Sequence, residues 1–139
     1  MSLAKTKPSV SWWFVAAAAI CLITSAIHML AGAPEVISPL LASDLPTSVK
    51  GVMDVIWHQI TALLLIGCGA SLVAAVRPDW RLPVTLLIGG HFALIALLFL
   101  LLGAMWFSSP WPMPQWVLFA TAAILLLVGW RRGASRMAW

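Results

Sequence analysis

Charge is what this chain has little of. Of its 139 residues only 9% are Asp, Glu, Lys or Arg, whereas 63% are hydrophobic and the mean hydropathy is +1.03. A water-soluble domain of this length needs a charged surface to stay dispersed, so an ordinary soluble fold is excluded. Cysteine is nearly absent too. Cys21 and Cys68 both lie inside apolar runs, which excludes an extracytoplasmic disulfide framework. The chain has no acidic or basic tail, no low-complexity tract and no internal repeat. Its net charge of +4 is spread over the ends of apolar runs and forms no patch, so nucleic acid is not an expected partner.

What is present is long apolar sequence. Four runs stand out, at about 12–31, 54–76, 83–106 and 114–130. A helix needs roughly 20 apolar residues to cross about 30 Å of hydrocarbon, and each run approaches or exceeds that. Backbone groups in lipid must bond within their own segment, which forces helices. The expected fold is therefore all-α: a single integral-membrane four-helix bundle over residues 1–139, with the lipid bilayer as its first partner.

Orientation follows from Lys and Arg. Lys5 and Lys7 precede the first run, Arg77 and Arg81 flank the second loop, and Arg131, Arg132 and Arg136 follow the fourth run. Lys50 alone lies on the other side, with Glu35, Asp44 and Asp54. The positive-inside rule places the basic face, and with it both termini, in the cytoplasm, in a bacterial inner membrane. The tryptophans give an independent check. Trp12, Trp13, Trp80, Trp130 and Trp139 fall at inner boundaries, and Trp57, Trp106, Trp111 and Trp116 at outer ones, as two aromatic belts would.

The first run has a Lys-bearing start and ends on Ala31-Gly32-Ala33, as a signal peptide would. Its apolar stretch is about 20 residues against the 7–15 of a signal core, and Pro34 would follow the cut. A retained span is expected. Loop one, Gly32 to Met53, brings together Pro34, Pro39 and Pro46, the acids Glu35 and Asp44, and Ser38, Ser43 and Ser48. Pro34 and Pro46 read there as first-turn residues, the latter after a Ser43 or Asp44 cap, so helix two begins near Pro46.

Ionisable groups inside a bilayer are costly, which makes His28, His58 and His91, with Asp54 at the edge, the functional candidates. At about 1.5 Å per residue His28 and His58 share a level in the outer leaflet, whereas His91 is about 12 Å in from the cytoplasm. Asp54 and His58 are four apart and neighbours on one helix face, where a carboxylate fixes and strengthens an imidazole. Cys21, Thr24, Ser25 and His28 form a polar stripe facing protein, and Glu35 follows just outside. One reading is an outer-leaflet site of His28, His58, Asp54 and Glu35 that ligates a metal, holds haem b between two histidines, or binds a quinone head group. The plainer reading is that His28 and His58 are interhelical hydrogen-bonders pinning helices one and two. Cys21, Cys68 and His91 at similar depth have the soft-ligand character for copper, but cysteine behaves as a small apolar residue in membrane helices and Gly89-Gly90 fits close helix packing, so a structural role is expected.

The four-run arrangement, the stretch from Glu35-Val36-Ile37-Ser38-Pro39-Leu40-Leu41 to Val55-Ile56-Trp57-His58, and Trp111-Pro112-Met113-Pro114-Gln115-Trp116 resemble small four-helix bacterial inner-membrane proteins of the DoxX-like kind. That resemblance implies an association with quinone-linked oxidoreductases and carries no site residue across. Small four-helix multidrug exporters need an acid embedded in helix one, and quinone-coupled disulfide enzymes need paired cysteines near an outer loop; neither is present. A phosphate loop and a serine–histidine–aspartate set are missing as well. The expectation is a non-enzymatic accessory, scaffold or partner-binding protein, joined to another membrane protein or to its own copies. The alternatives are a redox-associated protein using His28 and His58, with Asp54 orienting His58, and a small transporter.

Overall fold

The computed structural model describes residues 10–135, and Lys5, Lys7, Arg136 and Trp139 lie outside them. Four helices follow in order: α1 (Trp12–Ala42), α2 (Thr47–Val76), α3 (Pro78–Phe107) and α4 (Trp116–Ser135). They are 31, 30, 30 and 20 residues long, and each is long and apolar enough to cross a membrane. At 1.5 Å per residue the first three run to about 45 Å, well beyond the roughly 30 Å of a hydrocarbon core.

Two helices are not uniform. α1 is α-helical over Trp12–Ile27, widens into i→i+5 turns over His28–Ile37, and closes on α-helical Ser38–Ala42. Pro34 lies inside that wide stretch, and the N–H of Ser38 donates to Ala33 O across it. Proline has no N–H to give and crowds the preceding turn, so a helix that continues through it must re-space its bonds. The chain does so, and α1 runs past residue 31 to Ala42, with Pro34 internal and not in a first turn. α3 opens with a tight turn at Pro78–Trp80, five residues ahead of Pro83, and widens again at Thr85–Gly89 before its straight run Gly90–Phe107. α2 starts at Thr47, beside Pro46 as expected, but Pro46 is its non-helical N-cap and not a first-turn residue. Ser43 does not cap it; its hydroxyl donates to Leu40 O at 2.6 Å.

α1 packs between α2 and α4, and α3 packs on α4. The core is narrow and comes in two layers. Phe14, Ala17, Ala74, Ala75, Val84 and Leu126 fill the one nearer Arg81. Cys21, Leu64, Phe92, Ala96, Phe119 and Ala122 fill the other. Small residues set the spacing. A Cβ on Gly129 would lie 2.8 Å from Trp13 Cβ and 2.9 Å from the Phe14 ring, so glycine there lets α4 close onto α1. One on Gly67 would lie 2.8 Å from the tip of Phe92, whose ring fills the space between α2 and α3. α3 ends on Ser108, the one non-glycine residue with positive φ (55°) among those described. The turn after it folds back on Gly103, where a Cβ would meet Pro110 Cα at 3.3 Å.

Large apolar side chains cover most of the exterior: Leu30 is 79% exposed, Leu87 73% and Met105 76%. Arg77, Arg81, Arg131 and Arg132 gather at one end of the bundle, called here the Arg81 end, and Lys50 stands at the other, the Pro46 end. At the Arg81 end the Ser11 N–H donates to Ala75 O at 2.9 Å, and the Arg132 guanidinium lies 4.8 Å over the Trp13 ring.

Candidate functional site

Toward the Pro46 end, α1 and α2 meet through His28, where α1 begins to widen. Its Nε2 is 3.1 Å from the carbonyl oxygen of Trp57. A carbonyl only accepts, so His28 holds the Nε2–H tautomer and donates. The same imidazole stacks on the Trp57 indole, with ring centroids 3.8 Å apart and 21° between planes. Gly32, one turn on, makes room for that indole, since a Cβ there would stand 2.9 Å from the ring. Beside this pair, Thr61 Oγ1 donates to Met29 Sδ at 3.1 Å. The polar stripe of α1 does face protein: Cys21, Thr24 and Ser25 are buried.

His58 follows Trp57 directly and is therefore turned about 100° away around the helix, out of the α1–α2 contact. Its Nε2 is 3.6 Å from Asp54 Oδ1, and the two side chains are 60% and 43% exposed. That separation is too long for a direct hydrogen bond and leaves a loose i,i+4 pair on the surface. Glu35 is exposed and makes no polar contact with another described residue. Of the four residues expected to converge, the structure joins Asp54 with His58, gives His28 to Trp57, and leaves Glu35 apart. Among the described residues no three of His, Cys, Asp or Glu are grouped to hold a metal ion.

The deeper trio is also divided. Cys21 is buried and Cys68 packs against the same cluster, but His91 is exposed on the outer side of α3.

Arg81 has a role beyond marking the end of a span. It is 9% exposed, and its Nε and Nη2 donate to Ala74 O and Ala75 O at 3.2 and 3.3 Å. These are among the last carbonyls of α2, which have no partner within their own helix. Thr85, in the widened turn of α3, donates to Leu126 O of α4 at 3.2 Å, a second tie that hydropathy alone does not reveal.

No family model matches the chain, and no curated protein or solved structure does either.

Proposed function

We propose that the chain is a multi-pass protein of the bacterial inner membrane, with both termini cytoplasmic, that serves as an accessory or partner-binding subunit and runs no reaction of its own. The observation that carries this reading is the double engagement of His28 by Trp57. The more buried histidine of the expected outer site is committed to holding α1 against α2, which is what interhelical polar groups do in lipid. The apolar exterior supports the membrane setting, because a surface of that extent is stable only against lipid or another protein.

A second reading rests on Asp54 and His58. An imidazole near a carboxylate at the surface of α2 offers a ligand or proton acceptor that a modest closure of the 3.6 Å gap would orient, and the likeness to DoxX-like proteins leans toward a redox partner. The two readings separate in one experiment: the visible absorption spectrum of the purified protein, oxidised and reduced, before and after adding haem, copper or iron. No protein-bound visible band, before or after these additions, is expected. A haem-like or charge-transfer band that vanishes in His58→Ala would overturn the accessory reading.

A further inference from the structure

We propose that α3 carries a self-association face centred on His91, and that its occupant is α3 of a second copy of this chain. The inference rests on the membrane reading above. His91 is ten residues beyond Arg81, about 15 Å along the helix, which is half of a hydrocarbon core of about 30 Å. At that depth its imidazole is exposed on the outside of the bundle and makes no polar contact with another described residue. A lone polar ring facing lipid at the midplane is costly, and polar residues at such depth pair with one another or with protein.

The residues around His91 have the spacing of a helix seam. Leu87, His91, Leu94, Leu98, Leu101 and Met105 follow at intervals of four, three, four, three and four. This is the 3.5-residue repeat by which two helices keep one stripe in contact. Every member is exposed, the leucines and the methionine by 46–76%. The inward face of α3, with Phe92, Ala96 and Gly103, is separate and already packed. The stripe is about 27 Å long and so spans nearly the whole hydrocarbon.

The occupant follows from the chemistry of the one polar member. A neutral imidazole has one donor and one acceptor nitrogen, so two of them complement each other. Copies inserted with the same topology place His91 at the same depth, and a two-fold axis along the membrane normal brings the rings together, one donating and the other accepting. A single polar residue in an otherwise apolar seam fixes register and partner number. Gly90, beside His91, has nothing within 4 Å of where its Cβ would be, which leaves room for close approach.

The test is cross-linking of the full chain in native membranes. In a Cys21→Ala, Cys68→Ala background, Leu94→Cys and Leu98→Cys are each oxidised and read as dimer on denaturing gels. Leu65→Cys on α2, also 51% exposed and at matching depth, is the control. Dimer at 94 and 98 but not at 65, lowered about fivefold by His91→Leu and retained in His91→Gln, is expected for one interhelical hydrogen bond in lipid. Equal cross-linking at 65, a hetero-adduct in place of dimer, or no adduct from protein that resists carbonate extraction would overturn the second-copy face and leave the membrane reading standing. Extraction of the chain by carbonate would overturn the membrane reading itself. Should the cysteine-free background misfold, photobleaching steps of the labelled wild type and His91→Leu in bilayers decide the same question, with two steps falling to one expected and one step in both overturning the face.

Discussion

The His28 imidazole lies on the Trp57 indole at 3.8 Å while its Nε2 donates to the Trp57 carbonyl at 3.1 Å, so one residue of α2 holds it twice. The neighbouring histidine is held by nothing comparable. Between them, Trp57 and His58 divide the face of α2 into a contact side and a free side within one residue. A residue's depth in the helix and its direction around the helix are independent, and only the first can be counted from sequence.

That division gives the first prediction. His28→Ala removes a stack and a hydrogen bond, and stability should fall by about 1–3 kcal/mol. His28→Phe keeps an aromatic ring on Trp57 and should lose less. His58→Ala and Asp54→Asn, being exposed, should stay within about 0.5 kcal/mol of wild type. Unfolding in mixed micelles with increasing dodecyl sulfate measures all four. A His58→Ala loss equal to that of His28→Ala would mean that the exposed pair also carries load.

The four spans were legible because lipid demands about 20 apolar residues in a row, and such runs are visible in any reading of hydropathy. The end of α1 was not. Pro34 marks a helix start by local rules, and those rules do not know that widened turns at His28–Ile37 can carry a helix through a proline. Asp54–His58 was legible because both members sit on one helix, where spacing alone decides adjacency. The partner of His28 was not, because it depends on how two helices are rotated against each other. Gly32, three residues before Glu35, is the signal in hindsight: a glycine facing an aromatic across the α1–α2 contact.

Glycines give the second prediction, as a contrast between two positions. At Gly129 a methyl group would enter the Trp13 and Phe14 side chains at 2.8–2.9 Å, so Gly129→Ala should push α4 off α1 and cost about 1–3 kcal/mol. At Gly69 nothing lies within 4 Å, and Gly69→Ala should be neutral or gain up to about 1 kcal/mol from helix propensity. The same micelle titration reads both. Equal losses at the two positions would contradict the close α1–α4 approach.

Arg81 gives the third. Arg81→Met keeps much of the apolar stem but takes the side-chain donor from Ala74 O, at about 1–3 kcal/mol for a buried acceptor left unpaired, while Ala75 O keeps the Ser11 N–H. Because these two bonds reach the end of α2, the effect on that end should be larger than on the rest of the helix. Amide exchange over 73–77 should speed up in Arg81→Met, while amides near Leu64 stay protected. Uniform acceleration along α2 would instead mark Arg81 as a support of the whole bundle.

Orientation gives the fourth. Seven of the eight basic residues in the sequence precede the first apolar run (12–31), lie between the second and third (54–76 and 83–106), or follow the fourth (114–130); Lys50 is the exception. Such an imbalance sets topology during insertion. In a cysteine-free background, Asp44→Cys and Gln115→Cys, in the first and third connections, should react with a membrane-impermeant maleimide in intact spheroplasts. Asp79→Cys, in the Pro78–Trp80 turn that opens α3, should react only after the membrane is opened. Asp79 itself pairs with Arg77 at 3.2 Å, but both side chains are about 60% exposed, so losing that pair should cost little and leave the turn in place. Labelling of Asp79→Cys in sealed spheroplasts would invert the topology and move the Asp54–His58 pair to the cytoplasmic side, where a redox partner for it would have to be sought.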